Sequence, residues 1–323
     1  MKKIIIVLIG TVLISFGVGF FSLKLSQDNV RDGFKIKFDD KNYSVNINSN
    51  KTNVNRKDGD YVLIDEKDNT SIKGIEEIEI DVDIATVNII SDNRDNISIH
   101  YHGRISPYIK TNFSTKTSGN KLIVQAKAKS KKNNLSNSTN ADLYLDIIIP
   151  SSYTNDLNLE ANLGSIKIED LELNKLYIKS ELGDINVKNA IFRELDAKSS
   201  LGRISIDNVS SSKNKLVTDL GAINVENIKG PLEAKTNLGS IDLEYDKIDW
   251  DIKAESDSGS IKIILPKNSN LTIDASTSLG SIKSNIPLEI KEKSNTKLIG
   301  VCGSGENMIS LMVELGSISI NEK

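Results

Sequence analysis

The chain can close no disulfide on itself, because Cys302 is its single cysteine. That lack excludes a disulfide-stapled scaffold, but it does not identify a reducing compartment, since many secreted proteins dispense with cysteine. Aromatic residues are scarce at 5%, which argues against platforms that stack bases or sugars. Charge of one sign is missing as well: 41 Lys and Arg stand against 44 Asp and Glu, a net charge of −3. A nearly neutral chain of 323 residues gives no electrostatic case for a nucleic-acid partner. No motif specifies a reaction, and no cofactor is implied. Cys302 has no neighbouring histidine to act as its base and is expected as a small buried residue.

What is present begins with an apolar run. After Met1, Lys2 and Lys3 come twenty uncharged residues, Ile4–Leu23. As a helix they would span about 30 Å, one bilayer core. A cleaved signal peptide is the rival reading, but its apolar region should be shorter and end in an A-x-A-like site, whereas FFSLKLSQD stands here. A lipoprotein would need a cysteine just after the run. The expectation is a short cytoplasmic tail (1–3), a single-pass anchor (4–23) in the cell membrane, and a body outside the cytoplasm. Lys24, Arg31, Lys35 and Lys37 follow the span, so local charge counting does not favour export, but long domains translocate largely regardless of charge. Residues 24–71 are polar with short apolar bursts, as expected of a stalk or N-terminal cap.

The body, 72–323, is organised by an internal repeat. Glycines fall at Gly164, Gly183, Gly202, Gly221, Gly239, Gly259, Gly280 and Gly316, with successive spacings of 19, 19, 19, 18, 20, 21 and 36. The last gap is about two periods and implies a degenerate repeat between. Two residues after each glycine stands isoleucine: Ile166, Ile185, Ile204, Ile223, Ile241, Ile261, Ile282 and Ile318. One residue before stands leucine, at Leu163, Leu182, Leu201, Leu220, Leu238, Leu279 and Leu315, with Ser258 the exception. Three before is a small column that runs Ala161, Ser180, Ser199, Thr218, Thr236, Ser256 and Thr277 before ending in Val313. Polar residues alternate with these, so the segments are strands with one buried face. The fold class that follows is all-β, a single-stack β-solenoid with about 19 residues per coil and equivalent positions stacked about 4.8 Å apart. Isoleucine and leucine are expected inside on either side of a corner, the Ser/Thr column inside with its hydroxyls on backbone, and glycine at the turn, for positive φ or close coil-to-coil approach. A phosphate-cradling loop would need a following helix, and none follows.

Upstream, IEEIEIDVDIATVNIISDNRDNISIHYHG (Ile75 to Gly103) alternates without the Leu-Gly signature and is expected to form the first coils. Residues 126–140 lack periodicity and are expected as an exposed loop. Its Lys127, Lys129, Lys131 and Lys132 form a cationic cluster that could touch anionic envelope polymers or lipid, against the plainer reading of a solvated loop. His100 and His102 are the only histidines and project from one face of a strand. Two exposed polar residues is the default reading; a metal would need a third or fourth ligand, for which Asp92 and Asp95 are the nearby candidates. Glu181, Asp219 and Asp257 share one outer column, but a glycosidase needs two carboxyls roughly 5–10 Å apart, and charge on outer strands is ordinary.

The IEIDVDIATVNII opening, the LDIIIP step followed by NLEANLGSIKIEDL, and the recurring LGxIxI turns resemble a bacterial adhesin-like family, a domain of unknown function with LiaG-like envelope members. The resemblance spans roughly residues 72 to 322. It implies a β-solenoid, often membrane-anchored by an N-terminal helix, and carries no agreed catalytic residues. The expected function is a non-enzymatic surface module that binds envelope polymers or partner proteins. The alternative is a sensor or accessory protein of envelope-stress signalling, and more distantly a polysaccharide-active enzyme.

Overall fold

The computed structural model describes residues 34–38, 41–45, 61–130 and 141–323. The expected span Ile4–Leu23 lies outside the described residues, and among those described no helix is long and apolar enough to cross a membrane. Two compact units are present, Met1–Asp58 and Gly59–Lys323. In the first, β1 (Phe34–Phe38) and β2 (Lys41–Val45) pair as an antiparallel hairpin. The second is all-β.

Its repeating part follows from the sequence period. Strand β10 (Asp156–Leu163) leads through Gly164 into β11 (Ile166–Glu169). Strand β12 (Glu172–Leu182) then runs beside β10 in parallel, with Leu157 opposite Leu176 and Leu159 opposite Ile178. Gly183 turns the chain into β13 (Ile185–Leu201), whose first residues lie beside β11 and whose last lie beside β12. The winding continues through β14 (Ile204–Ser211), β15 (Asn214–Leu220), β16 (Ile223–Glu226), β17 (Leu232–Glu244) and β18 (Ile252–Leu265). Parallel pairing of each residue with one a period later stacks the isoleucines directly: Ile166, Ile185, Ile204, Ile223, Ile241 and Ile261 are each 0% exposed. At about 1.5–3 kcal/mol for each buried aliphatic side chain, this column is a main source of cohesion.

The glycine corner is set by contact. A Cβ placed on Gly202 would lie 2.2 Å from the carbonyl oxygen of Gly183, and one on Gly221 would lie 2.0 Å from that of Gly202. Each corner therefore rests on the corner before it. The Ser/Thr column fills the inside as expected, and all its hydroxyls but that of Ser199 donate to backbone carbonyls. Thr218 and Thr236 are fully buried, and their hydroxyls donate to the carbonyls of Gly202 and Gly221, each at 3.1 Å.

The leucines depart from expectation. Leu163, Leu220 and Leu238 are 38%, 41% and 38% exposed, and Leu279 is 69% exposed. Leu182 is buried, while Leu201 and Leu315 are half-buried. The reason is volume: the inside of the corner is already filled by hydroxyl side chains and by carbonyls in contact with glycine. Four of the seven leucines face outward instead.

A second corner column was not anticipated. Asp170, Asn189, Asn208 and Asn227 adopt positive φ of 56°, 51°, 52° and 52°. Asn and Asp are the non-glycine residues that best tolerate this conformation. Within the column, Asn208 donates through Nδ2 to Oδ1 of Asn189 at 3.0 Å.

Both ends of the stack break chain order. Strands β4 (Glu77–Ile84) and β5 (Thr86–Asp92) form the first coil in sequence, yet they are not outermost. They lie between β10–β11 on one side and, on the other, β8 (Lys121–Ser130) and β9 (Ala141–Pro150), again all parallel. Residues 126–130 thus belong to β8 and not to a loop, and Ala126 is buried. At the other end β22 (Asn307–Glu322), last in sequence, is inserted between β18 and β19 (Leu271–Ser284). Ile318 is accordingly buried, whereas Ile282, in the outermost coil, is only half-buried. No degenerate repeat separates Gly280 from Gly316. Strands β20 (Glu289–Lys293) and β21 (Lys297–Cys302) form an antiparallel pair there, with β21 antiparallel to β19 and Cys302 half-buried.

The first end is closed in a similar way. β6 (Asn96–Ile105) is antiparallel to β9, β3 (Val62–Ser71) is antiparallel to β6, and β7 (Ile109–Ser118) is antiparallel to β8. Of the segment Ile75 to Gly103, only β4 and β5 make a coil, and the sheet begins at Val62, before residue 72. Asp68 of β3 accepts from the hydroxyls of Thr70 at 2.6 Å and Thr115 of β7 at 2.5 Å. The two hydroxyls, Thr115 foremost, hold its carboxyl below the ordinary aspartate value.

Three outcomes test this account by chemical denaturation of the Gly59–Lys323 unit. Gly202→Val should cost on the order of 3 kcal/mol or more, since the added Cβ meets backbone. The outward control Arg203→Ser should change stability by less than about 0.5 kcal/mol. Asn208→Ala should cost about 1–2 kcal/mol and Asn208→Gly less, because only glycine adopts positive φ without strain. Asp68→Asn should be less stable than wild type near neutral pH. A carboxyl with a depressed folded pKa stabilises above its unfolded value, near about 3.9, so that gap should close as pH falls below it.

Candidate functional site

The only two histidines lie in β6, and residue alternation places them together. Tyr101 between them is fully buried, so His100 and His102 both project outward. β6 runs between β3 and β9. His100 stands opposite Lys67 and Asp146, and His102 opposite Asp65 and Tyr144. The imidazole rings stack, with centroids 4.2 Å apart and planes at 25°. Tyr144 stacks on the other side of His102, at 5.5 Å.

Each ring meets a carboxylate. Nε2 of His100 lies 2.6 Å from Oδ1 of Asp65, and Nε2 of His102 lies 2.7 Å from Oδ2 of Asp146. Asp146 is fixed from behind, since Asn88 of β5 donates through Nδ2 to its Oδ1 at 2.7 Å. The hydrogen bond with His100, reinforced by Lys67 at 3.2 Å, holds Asp65 below the ordinary carboxylate pKa. The hydrogen bond with Asp142 pushes the Tyr144 phenol up. Burial pushes the Tyr101 phenol up, and its ring stacks on Phe113 at 5.8 Å. One potential ligand atom from each of His100, His102 and Asp146 lies within 4.8 Å of the others.

Asp92 and Asp95, the companions suggested by sequence proximity, are not in this group. The carboxylates come from Asp65, 35 residues before His100, and Asp146, 44 residues after His102. Antiparallel pairing brings them in, and no local pattern announces it. The Asx corner column did leave a signal: Asp170, Asn189, Asn208 and Asn227 each stand six residues after a glycine of the repeat.

Lys127 is paired with Asp81 and, at 3.3 Å, with Asp83. Burial opposes its charge, but the two carboxylates outweigh burial and keep its pKa above the ordinary lysine value. Lys129 is exposed at the end of β8, and Lys131 and Lys132 lie outside the described residues. Of the carboxylate column, Glu181 accepts from Ser200 Oγ and Asp219 from Asn237 Nδ2, each at 3.0 Å. The side chains between these carboxylates are their hydrogen-bond donors.

Comparison with known proteins adds a family. Two solved structures are similar to the chain at low identity. A candidate cell-adhesion protein from Clostridium sporogenes ATCC 15579 is 13% identical, with a TM-score of 0.33, over 81% of this chain and 100% of that one. A candidate adhesin from Bacteroides fragilis NCTC 9343 is 14% identical, with a TM-score of 0.45, over 81% of this chain and 97% of that one. No curated protein matches. The model of the Toastrack DUF4097 family matches residues 75–321, from just before β4 to the end of β22, and the chain belongs to that family.

Proposed function

We propose that the chain is a non-enzymatic surface β-solenoid, held in the cell membrane by Ile4–Leu23 with its body outside the cytoplasm. Its outer faces bind an extended envelope polymer or a partner protein. The observation that carries this reading is the leucine ridge. Leu163, Leu182, Leu201, Leu220 and Leu238 follow one another in register, coil upon coil, and three of the five are well exposed. Beside them run Glu181, Ser200, Asp219 and Asn237, a polar column at the same spacing of about 4.8 Å. Such a surface presents an apolar and a hydrogen-bonding side chain together at several steps along the stack. It suits a partner that is itself extended and repetitive, because weak contacts along it act together.

Two measurements test the proposal. Protease added to intact protoplasts of a bacterial host should remove the body from the membrane, and full protection would overturn the topology. Full-length protein should be retained on cell-wall fractions, and Leu220→Lys with Leu238→Lys should lower that retention at least fivefold. The unfolding midpoint should barely move, since both leucines are already exposed. Equal retention of the double variant would remove the ridge from the binding surface.

A further inference from the structure

We propose that His100, His102, Asp146 and Asp65 bind one divalent transition-metal ion of the zinc class, independently of the polymer surface. The donor set argues for the class. Two imidazoles and two carboxylates suit zinc and its neighbours, whereas calcium and magnesium take oxygen ligands throughout.

The geometry is near that of a bound site. Zinc–ligand bonds of about 2.0–2.1 Å place tetrahedral donors about 3.3 Å apart. Here the two imidazole–carboxylate edges measure 2.6 and 2.7 Å, and the His100, His102 and Asp146 donors lie within 4.8 Å of one another. The two imidazoles are about a third exposed and Asp146 and Asp65 more so, at 41% and 69%, so side-chain rotations can close the difference without moving a strand. Asn88 fixes one oxygen of Asp146 and leaves the other facing His102, the supporting contact that ligating carboxylates characteristically have. Tyr144 stacked on His102 limits ring rotation. Asp65, which Lys67 also holds at 3.2 Å, stands outside that group of three and joins as the fourth ligand only by turning from its contact with His100.

Without an ion, each Nε2 is in hydrogen-bond contact with its carboxylate. A ring nitrogen that carries the proton cannot ligate, so each imidazole binds through whichever nitrogen is unprotonated. The ion would tie together β3, β6 and β9, which reach this end of the stack from distant parts of the chain. Binding therefore stabilises the closed end by mass action.

The chain has two histidines, so an imidazole-ligated ion has one address. Full-length protein without a polyhistidine tag, solubilised in mild detergent and stripped with chelator, is titrated with cobalt(II) and then zinc(II). One cobalt per chain with the strong visible absorption of a tetrahedral centre is expected, lost on adding zinc. Calcium and magnesium should leave it unchanged. His102→Gln and Asp146→Asn should each weaken zinc binding at least tenfold, and zinc should raise the unfolding midpoint of wild type but not of His102→Gln. In wild-type protein both imidazole ¹⁵N signals should shift on zinc addition, a readout that does not depend on any variant folding. Absence of cobalt absorption together with unmoved imidazole signals would overturn the proposal. So would zinc binding unaffected by His102→Gln.

Discussion

The contact between a corner glycine and the carbonyl of the corner before it is what the stack depends on. With Gly202 seated on the Gly183 carbonyl and Gly221 on that of Gly202, the spacing between coils is fixed at a point where no side chain can intervene. The hydroxyls of Ser180 and Thr218 then satisfy those same carbonyls, of Gly183 and Gly202, from inside. Buried carbonyls left without donors are costly, so the small hydroxyl column and the glycine column are one device. Everything else in the repeat follows from that spacing. Isoleucines two residues on stack without offset and, except for Ile282 in the outermost coil, are sealed, while Leu163, Leu220, Leu238 and Leu279 one residue back turn outward.

The ends solve a different problem. A stack of parallel coils leaves a row of unpaired backbone groups at each end, a template for unwanted pairing. Here the terminal coil of the sequence is inserted one place in from the end on both sides, and antiparallel strands finish the sheet. β20, EIKEK, is exposed along its whole length and mostly charged, so it offers no apolar edge to a second molecule. The histidine pair lies within one of these irregular ends. There β3, β6 and β9 meet antiparallel, and side chains from three distant segments share one face. Departures from a repeat are where a site is to be looked for, because the repeated coils are committed to packing.

The first coil lacks the repeat's signature. Ala85 stands in the glycine's place there and is buried. The neighbouring outer coil is built from β8 and β9. Alternation in Ile75 to Gly103 was therefore legible as strand, but the strands' places in the stack were not.

The sequence by itself determined the period, the all-β class and the buried isoleucine and hydroxyl columns, because these depend on alternation and on equivalent residues meeting one turn later. It also put His100 and His102 on one face, since two residues apart in a strand is enough for that. Only the tertiary structure decided the order of the outer coils, the outward turn of Leu163, Leu220 and Leu238, and the arrival of Asp65 and Asp146 beside the histidines. Those outcomes turn on which distant strands pair, in which register, and on how much volume a corner has left. Neither is encoded in any window of local sequence.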